Sequence, residues 1–145
     1  MKQESVLSQL EEIVQVDIDA AHAYDRAINQ IQDDIIRERL ANFRDEHRKH
    51  IIRLVQEITS RGGSPLDPTP DVKGYLMQVF TALRSVSGTR GALAAMKLNE
   101  ELTHAKYAEV FPQDFPEDVK EVLRSNLSDE KRHLDYIANN LKSLS

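Results

Sequence analysis

The chain has 145 residues, enough for one domain with a real core, and carries 24 acidic against 19 basic residues for a net charge of −5. The charges are well mixed, so no basic face offers itself to nucleic acid, and no run of about 18 apolar residues exists to span a membrane. There is no cysteine, which excludes disulfides, thiolate ligands and thiol nucleophiles, and the opening MKQESVLSQL has no apolar signal region, so the cytoplasm is the expected location.

Apolar residues recur at three- and four-residue steps almost throughout, which predicts an all-α chain. A first helix is expected over residues 4–31, with Val6, Leu10, Ile13, Asp17, Ala20, Tyr24, Ala27 and Ile31 in its buried stripe. A second follows over 33–60, with Ile36, Leu40, Phe43, His47, His50, Leu54 and Ile58, and Gly62 and Gly63 stop it. The prolines of SPLDPTPDVKG forbid helix over 64–74, and a short amphipathic helix is expected over 72–86. The third long helix is predicted over 91–111, with Leu93, Met96, Glu100, Thr103, Tyr107 and Val110, until Pro112 and Pro116 end it. The fourth covers 117–144, with Val119, Leu123, Asn126, Glu130, His133, Ile137 and Leu141. Four long helices with two short turns and one long crossover describe an antiparallel four-helix bundle: a hairpin over 4–60, a crossover over 61–90 carrying the short helix, and a second hairpin over 91–144, all in a single domain.

The two hairpins repeat one another at an offset of 83 residues. Leu10 meets Leu93, Asp17 meets Glu100, Tyr24 meets Tyr107, Leu40 meets Leu123, Glu46 meets Asp129, His50 meets His133 and Ile58 meets Leu141. Amphipathic helices match trivially in apolar positions, but not in polar residues set inside the stripe, so the match points to hairpin duplication and a pseudo-two-fold bundle.

Those polar residues interrupt every stripe near its middle: Asp17, His47 with His50, Glu100, and Glu130 with His133. Each lies about 12–14 residues from its hairpin turn, so antiparallel helices rising about 1.5 Å per residue bring all of them into one layer. Buried carboxylates are costly without compensation, and a pair of divalent cations is the simplest compensator. Residues three apart share a helix face, and bundle-core di-metal sites use single carboxylates on two helices and Glu-x-x-His on the others. Glu130-Lys-Arg-His133 has that form, and His47-Arg-Lys-His50 has its spacing with histidine in place of glutamate. The competing reading is a buried network in which carboxylates pair with protonated histidines.

Tyr24 and Tyr107, two turns beyond Asp17 and Glu100, are placed to donate a hydrogen bond across the bundle to a ligand carboxylate, and they are the candidate catalytic side chains. Glu46 and Asp129 precede the pairs by one residue and read as solvated flanking charge, with bridging or reserve ligands as the alternative; the steps Arg48-Lys49 and Lys131-Arg132 read as outer faces. Asp19-Ala-Ala-His22 and Glu101-Leu-Thr-His104 have metal-like spacing but fall outside the stripes and read as surface.

Asp17 with Tyr24 seven later, Glu100 with Tyr107 seven later, Glu130-x-x-His133, and a short crossover helix followed by Leu-Asn-Glu-Glu carry a resemblance over the whole chain. The sequence resembles the ferritin-like superfamily of rubrerythrin and bacterioferritin, and is most like its small bacterial DUF2383-type domains. The resemblance implies a carboxylate-bridged di-iron or di-manganese centre with Asp17, His50, Glu100, Glu130 and His133 as ligands and His47 at the place of a bridging glutamate. Asp17 is shorter than the usual glutamate, and with His47 it leaves a mononuclear site, or zinc, open. The function expected is a reaction of two iron ions (or manganese) with dioxygen or peroxide, as a ferroxidase or peroxidase-type oxidoreductase in iron oxidation or oxidative-stress defence. A peroxidase would need a separate electron donor, since the chain has no Cys₄ segment. A homo-oligomer is expected. The alternative is a non-catalytic ferritin-like module for dimerisation or partner binding, with a relic metal site; a storage cage is a third.

Overall fold

The computed structural model describes residues 1–144. It contains five helices and no strand among the described residues: α1 (Gln3–Ile28), α2 (Asp34–Ser60), α3 (Met77–Ser85), α4 (Gly88–Val110) and α5 (Glu117–Ser143). Helices α1 and α2 form one hairpin and α4 and α5 the other. Across the bundle α1 packs on α4 and α2 on α5, while the short α3 rests on α1 and α4.

Local chemistry sets the element ends. Asp33 caps α2, its carboxylate accepting the Ile35 and Ile36 amides at 2.9 and 3.0 Å. At the other end Gly62 takes a left-handed φ of +85°, and the Gly62 and Gly63 amides return to the Thr59 and Ile58 carbonyls at 3.1 and 2.9 Å. This terminal wrap needs glycine at its left-handed position. Pro116 precedes α5, whose first turn carries Glu117 and Asp118.

Three boundaries differ from the periodicity by more than one residue. Helix α1 ends at Ile28 rather than 31, because the chain turns through Asn29 and Gln30, yet Ile31 still reaches the core. The small helix starts at Met77 rather than 72, because a turn closed by the Gly74 amide on the Asp71 carbonyl (3.0 Å) comes first. Helix α4 starts three residues before 91, at Gly88.

The crossover is fastened by a residue read as surface. Asp19 is only 1% exposed; its Oδ1 accepts the Asp71 amide at 2.8 Å and the Gln15 side chain at 3.0 Å. Burial pushes its pKa up, partly offset by the Asp71 amide.

The apolar core falls into two parts. One holds Tyr24, Leu40, Phe43, Phe80, Leu93, Met96 and Ile137; the other holds Leu10, Ile13, Leu54, Ile58, Tyr107, Val110 and Leu123. Repeat partners lie in opposite parts: Leu93 and Leu10, Met96 and Ile13, Leu40 and Leu123, Ile137 and Leu54, Tyr24 and Tyr107. That exchange is what a two-fold axis crossing the middle of the bundle produces.

Candidate metal centre

At that middle Asp17, His47, His50, Glu100, Glu130 and His133 meet, every one of them with 0% exposure. The structure therefore brings together all six residues of the polar layer. The same short contacts occur twice, once on each side of the pseudo-axis. His50 Nδ1 lies 3.2 Å from Asp17, and His133 Nδ1 lies 3.2 Å from Glu100. The tyrosines cross the bundle: Tyr24 donates to Glu100 at 2.7 Å, and Tyr107 donates to Asp17. Asn126 in turn donates to the Tyr107 hydroxyl at 3.0 Å.

Glu46 and Asp129 correct the reading of solvated flanking charge. Both are half-buried across the α2/α5 seam, and Asp129 lies 2.9 Å from His50 Nε2. Glu46 Oε1 lies 3.4 Å from His133 Nε2. These contacts fix the rings: Nε2 faces an outer carboxylate, which leaves Nδ1 turned into the layer. The sequence signal was present, since Glu46 and Asp129 are repeat partners, but a residue adjacent to a stripe is ambiguous until the partner helix is placed. The outer faces hold as expected, with Arg48, Lys49, Lys131 and Arg132 all exposed. His22 and His104 are half-buried but lie outside the layer, and His22 Nε2 sits 3.3 Å from the Pro68 carbonyl.

The layer departs from two-fold symmetry at the pair His47 and Glu130. His47 bridges the two halves, Nδ1 at 2.8 Å from Asp17 and Nε2 at 2.7 Å from Glu100. Only a doubly protonated ring donates to both carboxylates. Burial opposes that charge, but Glu100 and Asp17 outweigh it and hold the His47 pKa well above its ordinary value. Reciprocally, burial would raise Glu100, yet the His47 charge and the bonds from His133 and His47 hold it well below the carboxylate range. Asp17 is lowered in the same way, its hydrogen bonds from His47 and His50 overcoming burial. Glu130 goes the other way: burial, then the Asp17 charge, push it well above the ordinary range. Neither Glu130 oxygen has a hydrogen-bond partner, and Glu100 Oε2 has none.

Potential ligand atoms cluster twice. One ligand atom each from Asp17, His47, His50 and Glu130 lie within 4.8 Å of one another, and so do those of His47, Glu100 and His133. Buried oxygens left without partners fit a cation, since an unsatisfied buried acceptor is otherwise costly. The donor set of carboxylate and imidazole suits iron, manganese or zinc.

The helices and their buried acid–histidine layer define a ferritin-like four-helix bundle with a short extra helix. The chain belongs to the family described as a domain of unknown function, DUF2383, which matches residues 5–113. That span holds Asp17, Tyr24, Glu46, His47, His50, Glu100 and Tyr107, but not the α5 residues Glu130 and His133. Among solved structures, the chain is similar to the bacterioferritin-related protein from Bacteroides fragilis, described as a dodecameric thioferritin. The TM-score is 0.81 at 15% identity, over 99% of this chain and 88% of that one. At that identity the likeness concerns the fold alone. No curated protein matches the sequence.

Proposed function

We propose that the layer is a dinuclear metal centre of iron or manganese that reacts with dioxygen or peroxide, in iron oxidation or oxidative-stress defence. The observation that carries this reading is the doubled set of buried ligand atoms sharing His47. Asp17, His50 and Glu130 would hold one ion and Glu100 and His133 the other, with a His47 nitrogen within reach of either group. The ion pair would supply the redox steps and the open coordination positions that dioxygen or peroxide needs. The chain's own part is placement. Asp129 sets the tautomer of His50, Glu46 lies against His133 Nε2, and the Tyr24 and Tyr107 hydroxyls hold Glu100 and Asp17 in orientation. Burial above all, then the neighbouring carboxylates, raise both tyrosine pKa values well above the ordinary one, so each remains a donor. A peroxidase of this kind takes electrons from a separate donor, and the dodecameric relative supports a homo-oligomer here as well.

One observation favours the non-catalytic module. The His47 imidazolium already pairs with Asp17 and Glu100, so part of the layer is compensated without metal. Elemental analysis of protein purified without chelator separates the readings, alongside Glu100→Ala combined with Glu130→Ala. About two iron or manganese per chain, lost in the variant, supports the dinuclear centre. No metal as purified, and none after anaerobic loading, sinks it and leaves a ferritin-like module.

A further inference from the structure

At the α2/α5 seam, outside the two inward-facing histidines, carboxylates from opposite helices converge on one nitrogen. Arg132 Nη2 lies 3.0 Å from Asp129 Oδ1 and also pairs with Glu46 Oε1. We propose that Glu46 and Asp129 form an inlet through which divalent cations reach the centre, and that the Arg132 guanidinium closes it at rest. The proposal rests on the metal-centre reading.

Several features support it. The point between the two carboxylates is one that a single cationic group already fills, so its electrostatics suit a cation. Exposure falls steadily inward, from 53% for the Arg132 side chain to 23% and 26% for Glu46 and Asp129, and to 0% for His50 and His133. The same carboxylates also approach the histidines: Asp129 Oδ2 is 2.9 Å from His50, and Glu46 Oε1, which pairs with Arg132, is 3.4 Å from His133 Nε2. That Nε2 is fully buried and makes no aligned hydrogen bond, so a polar atom at the bottom of the seam is left facing Glu46. Finally, the closure is absent from the repeated scaffold. The repeat partner of Arg132 is Lys49, which is exposed and makes no ion pair with either carboxylate among the described residues. A half-exposed ion pair is weak enough for a divalent cation to displace.

The test follows anaerobic Co²⁺ uptake by stopped-flow absorbance in the full chain, with final stoichiometry measured separately. Arg132→Gln should raise the association rate about tenfold at unchanged stoichiometry, and Glu46→Gln with Asp129→Asn should lower the rate by a similar factor. Lys49→Gln removes the same charge at the repeat-partner position on α2 and should change the rate far less. If Glu46 and Asp129 merely orient the histidines, their variants raise the dissociation rate and leave association alone, which overturns the inlet. Equal effects of Arg132→Gln and Lys49→Gln also overturn it, since general surface charge then explains the rates. Wild-type protein that takes up no Co²⁺ at equilibrium refutes the metal-centre reading and the inlet with it, whereas normal uptake at unaltered rates refutes the inlet alone. Circular dichroism of each variant confirms that the helices are intact.

Discussion

Replacing His47 by glutamate tests the centre at its asymmetric position. In the metal-free protein the His47 ring is the cation between Asp17 and Glu100, at 2.8 and 2.7 Å, with all three side chains fully buried. His47→Glu removes that cation and adds a further carboxylate to a layer that already holds three, Asp17, Glu100 and Glu130. Removing one member of a buried ion pair costs about 3–5 kcal/mol. In a chain of this size each kcal/mol is about 2–4 °C in Tm, so the chelated variant should melt about 10 °C below the parent. Metal should reverse the order of effect. A ligand at a thousand times its Kd adds about 4 kcal/mol, and the parent must first surrender the imidazolium proton to bind it. Calorimetry in chelator and in saturating Mn²⁺ should therefore show a larger metal-induced shift for His47→Glu than for the parent. An unchanged Tm in chelator would refute the bridging imidazolium. Equal shifts in Mn²⁺ would refute a place for His47 in the metal centre.

Tyr24→Phe and Tyr107→Phe each strip a hydroxyl from a buried carboxylate and should cost about 1–3 kcal/mol in urea unfolding. Tyr107→Phe should cost more, since it also orphans the Asn126 amide. Asp19→Ala removes the acceptor of the Asp71 amide and should raise proteolytic cleavage within residues 64–74 while leaving the helix content intact. Glu46 is held at about 2, below its ordinary 4.5: burial works against this, but the adjacent His133 ring and the Arg132 guanidinium prevail. Its folded pKa is depressed, so its contribution to stability is present above pH 4.5 and is lost as the pH falls towards 2. Urea midpoints across that range should fall less steeply for Glu46→Gln than for the parent.

The helices, the crossover and the depth of the polar layer were legible because each depends on periodicity and count. A stripe with Asp17 and Glu100 at matched distances from its turns can close in only one antiparallel register. The tyrosine bonds were legible for the same reason, since two turns along one helix reach the carboxylate of its antiparallel neighbour. What the sequence withheld concerns the rims of the stripes. Asp19 looks like surface beside His22, and its burial depends on where the crossover lands at Asp71. Glu46 and Asp129 look like flank charge, and their inward reach depends on how closely α2 and α5 pack. Helix ends at Ile28 and Met77 were set by local turns that periodicity does not encode.

The break in symmetry makes the two half-sites chemically unequal. The group of Asp17, His47, His50 and Glu130 offers two carboxylates and two imidazoles, whereas that of His47, Glu100 and His133 offers one carboxylate and two imidazoles. Oxygen-rich sites favour harder cations such as manganese, and nitrogen-rich ones favour zinc. Glu130 carries its proton more readily than Asp17 or Glu100, so the first group must release a proton to gain its second negative charge. A first Mn²⁺ should therefore load the Asp17–Glu130 half with proton release, and a second should bind more weakly beside Glu100. Titration calorimetry in two buffers of different ionisation enthalpy should resolve two unequal steps; His47 gives up its proton on metal binding, and the first step releases the Glu130 proton in addition. Glu130→Gln should remove the tighter step and its proton, leaving the weaker one. A single class of two equal sites would show that His47 does not differentiate the halves, and that the duplicated hairpin imposes its symmetry on the ions.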